Sequence, residues 1–219
     1  MMQLIRGYQF DQNSADKWSW TLASNGKFTV KRLSIIIEEQ DVANTGPVQG
    51  TILNSLVPKK LEIFVWRVQK KRLPVRVELD KRGIDLHSVR CPMCDDSLKS
   101  VEHSIIFCRE AINIWNKIFN WWGLGTFSNL SLEEILKGNG PVSTSSLGKK
   151  IWQSIEWVSA YYVWRNRNNK VFEGTSWPAS VLLSEIQIKS HEWISQRVNG
   201  KKIEWLMWLS NPKLYLNIW

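Results

Sequence analysis

Cysteine and histidine are scarce in this chain, with three of each in 219 residues. An odd cysteine count with no secretory leader argues against a disulfide framework and for a reducing compartment. Three histidines give no basis for a Ser/His/Asp set. No uncharged apolar run approaches the roughly eighteen residues that a membrane span needs, so no membrane partner is expected. The amino terminus, MMQLIRGYQFDQNSADK, lacks a basic stretch followed by an apolar one, which predicts no secretory leader. No glycine-rich loop of the phosphate-cradling kind is present, and there is no internal repeat.

Two features are present in excess. The chain has 14 tryptophans, and 29 basic residues outweigh 20 acidic ones to give a net charge of +9. Hydrophobic residues at 43% and charged residues at 22% are ordinary proportions, so the chain can bury a core and is not disordered. The positive balance points to an anionic partner, with nucleic acid foremost. Its bland counterpart is that the charge keeps a Trp-rich chain soluble.

All three cysteines and His103 fall between Cys91 and Cys108, in CPMCDDSLKSVEHSIIFC. The pattern is Cys91-x2-Cys94-x8-His103-x4-Cys108. A Cys-x2-Cys pair lets two thiolates converge on one ion from a tight turn, and His103 and Cys108 supply the other two corners of a tetrahedron. Such a Cys3His set suits Zn²⁺, with a net charge of about −1 and no open position for a substrate water. The site is therefore expected to be structural. His87, four residues before Cys91, is an alternative fourth ligand. Three buried free thiols, or a redox Cys-Pro-Met-Cys pair, are the competing readings. On a straight α-helix, His103 and Cys108 would be about 500° apart and not on one face. The helix is expected to end or loosen near Cys108.

These residues and their flanks resemble the reverse transcriptase zinc-binding domain of plant LINE-type (non-LTR) retrotransposons. The likeness runs in order. It begins with Trp18-Ser19-Trp20 and Gly26-Lys27-Phe28-Thr29-Val30-Lys31, then Val57-Pro58-Lys59 with Phe64 and Trp66-Arg67. Arg72-Leu73-Pro74 and Leu79-Asp80-Lys81-Arg82-Gly83-Ile84 follow, then the cysteine cluster, Ala111 and Trp115. Trp164-Arg165-Asn166-Arg167-Asn168 and Phe172 match more loosely. Val75 stands where the family usually has Thr, and a usual Tyr near Leu33 is missing. The resemblance implies Cys91, Cys94, His103 and Cys108 as the zinc ligands. It also implies a place beside the polymerase part of a retroelement. The polymerase's own aromatic-x-Asp-Asp is not here: Met93-Cys94-Asp95-Asp96 lacks the aromatic, and Asp95 and Asp96 read as loop. No RNase H or endonuclease carboxylate set is visible either. The chain is expected not to be an enzyme.

The expected fold is mainly α with a small N-terminal β-hairpin, a helical domain stapled by the Cys3His site. The hairpin is read from residues 17–31, turning at Asn25-Gly26. Helices are expected over about 31–40, from Pro58 to Lys71, from Pro74 to Gly83, over 109–122, over 149–171 and from Pro178 to about Val198. Ile112, Trp115, Ile118, Phe119 and Trp122 form the expected core stripe of the fourth. The expected division is a zinc-binding domain over 1–137, a linker over 138–148 and a Trp-rich helical region over 149–219.

Residues 58–90 hold ten basic and four acidic side chains, a balance of +6 out of +9. Lys59, Lys60, Arg67, Lys70, Lys71 and Arg72 are the candidate nucleic-acid contacts. They would grip the phosphate backbone of RNA or DNA with little sequence preference. Arg165, Arg167 and Lys170 form a second candidate patch, and Trp164 reads as core sooner than as a base-stacking platform. The leading expectation is thus a non-catalytic zinc-binding accessory domain. It would reside inside the cell, in the nucleus or cytoplasm. Its rival is a domesticated or truncated protein-interaction module with structural zinc and no nucleic-acid affinity.

Overall fold

A computed structural model describes residues 19–36, 52–86, 88, 90–95, 100–127, 130–138, 145–198 and 203–213. The chain divides into two compact units, Met1–Gly50 and Thr51–Trp219. In the first unit the expected hairpin is absent from the described residues. Trp20 N–H donates to the Gly26 carbonyl (2.8 Å), and Trp20 and Phe28 rings meet at 5.0 Å, but no ladder continues from this single bond. Two short strands with no sheet to join are marginal in water. The chain instead makes a wide loop whose Gly26 has φ +64°, and a Cβ there would lie 2.6 Å from Ser19 Oγ, which would have to turn aside. Residues 30–36 are helical (α1), and 37–40 of the expected helix lie outside the described residues.

The second unit is helical. Its elements are α2 (Lys59–Gln69), α3 (Arg76–Asp80), a π-turn (His103–Phe107), α4 (Arg109–Trp122), α5 (Leu132–Lys137), α6 (Ser146–Phe172), α7 (Ala179–Ser195) and α8 (Trp205–Ser210). Among the described residues no strand is formed, only an isolated bridge residue at Arg90. None of the described helices is long and apolar enough to cross a membrane.

Helix α6 is the hub. Its 27 residues begin at Ser145, whose side chain accepts from Gly148 N–H as an N-cap. Residues 151–160 are buried all round, as befits a helix packed on several sides. Helices α2, α4, α5, α7 and the π-turn all contact it. The tryptophan excess goes into this core: Trp115, Trp122, Trp152, Trp157 and Trp208 are fully buried. Their indole N–H groups need acceptors. Trp157 donates to the Leu136 carbonyl at the end of α5 (2.8 Å), and Trp208 to Gln187 (3.1 Å). Buried Asn54 ties the approach to α2 onto α6 through Lys150 O and Gln153 Oε1, each at 3.0 Å.

Helix α4 spans the expected residues, but its core stripe is shifted. Ala111, Ile114, Trp115, Ile118, Phe119 and Trp122 are buried, while Ile112 is 37% exposed. Trp115, Ile118 and Trp122 fix the facing direction, and Ile112 lies about 60° outside the arc they define. Helix α5 is an element that apolar spacing does not predict. Its signal is Ser131-Leu132-Glu133-Glu134, a capping box in which Ser131 and Glu134 satisfy each other's backbone N–H groups. Of the segment read as linker, Gly138 ends α5 and Ser145 caps α6, while 139–144 lie outside the described residues.

Candidate metal centre

The knuckle is built first. Cys91-Pro92-Met93-Cys94 closes a tight turn in which Asp95 N–H donates to the Cys91 carbonyl (2.8 Å). Asp95 takes φ +54°, a left-handed conformation that Asp tolerates better than most residues. Asp95 is exposed, as expected of a loop residue; Asp96 lies outside the described residues. Cys91 is buried in this turn and Cys94 half-buried.

The second pair comes from a helical turn whose start is capped by Ser100. The Ser100 hydroxyl accepts from His103 N–H (3.0 Å). The turn then widens: Cys108 N–H donates to the His103 carbonyl at 2.7 Å, an i→i+5 bond. An α-turn would put Cys108 on the wrong side of His103. One extra residue in the turn brings the two back onto one face. Cys108 itself is extended (ψ 135°) and serves as the N-cap position of α4. Trp115 fixes this turn from the far side, donating its indole N–H to the Ile105 carbonyl at 2.8 Å. The expected loosening near Cys108 is thus a π-turn running from His103.

Cys91, Cys94, His103 and Cys108 bring their ligand atoms within 4.8 Å of one another. Cys91 Sγ and Cys108 Sγ lie 3.9 Å apart, and Cys94 Sγ and His103 Nε2 3.4 Å. Zinc–ligand lengths of about 2.3 Å to sulfur and 2.0–2.1 Å to nitrogen imply tetrahedral edges of about 3.8 Å and 3.6 Å. The two short pairs are close to those edges, and the whole group lies within 4.8 Å. Among the described residues it is the only cluster of three or more such ligands. His87 lies outside them. The cysteines are free thiols, as the metal reading requires.

Charge is arranged for a cation. The Cys108 thiol beside Cys91 holds the Cys91 thiol down to about 4, and the nearby backbone N–H groups of Cys94 and Met93 act in the same direction. The Cys91 thiol beside it, together with burial, pushes the Cys108 thiol up. A divalent ion binding here would displace the Cys108 proton and leave both sulfurs as thiolates. Four protein ligands would fill the shell of such an ion, which would cross-link the knuckle to the start of α4.

A knuckle and a helical turn closing one Cys3His set define a zinc-binding domain. The family described as zinc-binding in reverse transcriptase matches residues 28–115, a segment that contains all four ligands and ends at Trp115 in α4. No curated protein and no solved structure matches the chain.

The candidate nucleic-acid residues are all exposed. Lys59 is paired with buried Glu62 (2.7 Å). Lys60 lies over the Trp193 ring at 4.8 Å and Tyr161 at 5.9 Å. Arg72 lies over Trp66 at 5.5 Å. Arg67 and Lys70 stand on the outer face and exposed turn of α2. Lys71 has φ +51°, at the position after the helix end where glycine is favoured. There Arg72 N–H bonds the Arg67 carbonyl (2.7 Å) and Lys71 N–H the Val68 carbonyl (3.0 Å), a Schellman closure. The second patch is smaller than expected because Arg167 is buried, stacked over Trp164 at 4.8 Å. Trp164 is core at 7% exposure. Asn166 explains more of this motif than its charges do: its side chain accepts from Trp177 N–H (2.7 Å) and donates to Trp177 O (3.3 Å), clasping the α6–α7 connection.

Proposed function

We propose that the chain is a non-catalytic accessory piece of a non-LTR retroelement reverse transcriptase. In this reading a structural zinc ion holds a basic face against the phosphate backbone of RNA or DNA. The observation that carries it is the Cys3His group, its ligand atoms within 4.8 Å of one another, inside a segment matching the reverse transcriptase zinc-binding family. The exposed cations along and just after α2 support the partner: phosphate contacts need a positive face and no sequence code. The ordered motifs outside the zinc cluster support the retroelement origin. Residues Cys91, Cys94, His103 and Cys108 would hold the ion, which supplies cross-linking and no chemistry. The polymerase part of such an element is the natural neighbour.

The test is fluorescence anisotropy of zinc-loaded protein with single-stranded RNA and duplex DNA across a salt series. Affinity should fall steeply with salt. Changing Lys60, Arg67 and Lys71 together to Gln should flatten the log–log slope by about 0.7–0.9 for each phosphate that is no longer neutralised. Absence of binding at low salt would overturn the nucleic-acid reading.

A second reading has one observation in its favour. On α8, Leu206 is 78% exposed beside Trp205 at 36% and Met207 at 37%. A protein-interaction module would use such an apolar group. Asp replacement of Leu206 would abolish partner capture in that case and leave salt-dependent nucleic-acid binding untouched.

A further inference from the structure

Between the zinc knuckle, the start of α4, the end of α6 and the start of α7 lies a cavity of about 260 Å³. Met93 of the knuckle forms part of its wall, so the zinc-binding turn and the carboxy-terminal helices build it together. Arg167 lines it and is only 4% exposed. Its Nη1 donates to Asn168 Oδ1 (2.5 Å), but its Nε has no hydrogen-bond partner. Among the described residues no carboxylate pairs with it. A buried guanidinium without a carboxylate partner is costly. Burial, then the positive charge of Arg76, lowers Arg167 to about 10, and Cys91 offsets only part of this.

Three further features face the same space. Lys170, exposed, lines the cavity one turn beyond Arg167. The 17-residue α7 starts there: Ala179 is in the wall, and Pro178 at the N-cap offers no side-chain acceptor to the helix's first N–H groups. Such an end attracts anions. Glu110, exposed, is the acidic residue among those lining the wall.

We propose that this cavity is an anion site for a phosphate group, held by Arg167, Lys170 and the N–H groups that open α7. The volume limits the ligand. At about 260 Å³ it is smaller than pockets that enclose drug-sized molecules, roughly 300–1,000 Å³, so it suits a small anionic group. The phosphate comes either from the terminus of a nucleic-acid strand or from the free ion. The site stands apart from the nucleic-acid reading above; only a strand end as its source rests on that reading.

The experiment is calorimetric titration of the full zinc-loaded chain with inorganic phosphate at constant ionic strength. One saturable site is expected. Affinity should drop about tenfold in K170Q and in R167Q, as removal of one charge-assisted hydrogen bond predicts, and should rise in E110Q. Circular dichroism and zinc content check each variant's fold; if R167Q does not fold, the opposed shifts of K170Q and E110Q decide. No saturable binding, or equal affinity in wild type, K170Q and E110Q, overturns the proposal. A second arm compares 5′-phosphorylated and 5′-hydroxyl RNA of one sequence. A preference for the phosphorylated strand that K170Q removes, and that the α2 glutamine variant retains, assigns the source to a strand end. Equal binding of the two strands alongside saturable phosphate binding assigns it to the free ion. The α2 variant alone tests the basic face, so the two readings fail separately.

Discussion

Glu156 sits in the middle of α6 with no exposure, and neither carboxyl oxygen has a hydrogen-bond partner. The indole N–H groups of Trp122 and Trp152 are also buried without partners, and their rings meet at 5.0 Å. An ionised carboxylate would be very costly here, so the folded chain holds it neutral. Burial accordingly raises Glu156 well above the ordinary carboxyl range. In the unfolded chain the same group ionises near the usual ~4.3. The folded state then binds one proton more than the unfolded state above that pH. Its contribution to stability is fully present below the unfolded value and is lost as pH rises, by up to about 1.4 kcal/mol per unit. Glu156→Gln keeps the shape and removes the titration. Urea unfolding of zinc-saturated, reduced protein at pH 5.5, 6.5 and 7.5 measures the difference between wild type and variant. Proton competition at the zinc ligands cancels in that difference. The variant should gain on wild type as pH rises through the series. Parallel stabilities across the series would refute a neutral, unpaired Glu156.

Other expectations follow from single side chains. Cys108→Ser removes one corner of the tetrahedron and a ligand at the α4 start, so zinc content and thermal stability should fall together; folding and zinc stoichiometry equal to wild type would sink the structural role. Lys71→Gly relieves the positive φ and should raise stability by about 0.5–1 kcal/mol in thermal unfolding. The same change should weaken RNA binding in the anisotropy assay if the strained lysine is there for its charge. Ile114→Ala should cost about 2–4 kcal/mol, while Ile112→Ala should cost under 1, which separates the observed core stripe of α4 from the one periodicity suggests.

The helices are legible where caps and apolar spacing agree. Pro58 and Pro178 mark starts that the structure keeps, and α4 occupies the residues its spacing assigns. Helix α6 is readable in extent but not in role, because an all-round buried helix has no polar face to give its orientation. The Asn25-Gly26 signal misleads because a turn sequence specifies a turn and not the sheet that would make two strands worthwhile. Arg167 looks like surface charge because composition cannot show that Trp164 and the start of α7 enclose it. The capping box of α5 is in plain sight at Ser131 and Glu134.

The zinc ligands are the most legible part of the site, and their geometry the least. Spacing alone places His103 and Cys108 on different sides of an α-helix, yet their ligand atoms belong to one group within 4.8 Å. The conflict resolves only through the i→i+5 bond from Cys108 to His103, and a π-turn is rare without support. Its support comes from both ends. Ser100 caps the entry, and Trp115, seven residues beyond Cys108, holds the Ile105 carbonyl from within α4. A metal ion bound across the group would add a third constraint on the same turn. Trp115 is therefore a positioning residue for the metal centre as well as a core residue of α4. Trp115→Phe keeps most of the apolar volume and removes the indole donor. It should weaken zinc affinity in a chelator competition by more than Trp157→Phe, which loses an equivalent bond to Leu136 far from the ligands. Equal zinc affinity in the two variants would mean that the π-turn holds its shape without Trp115.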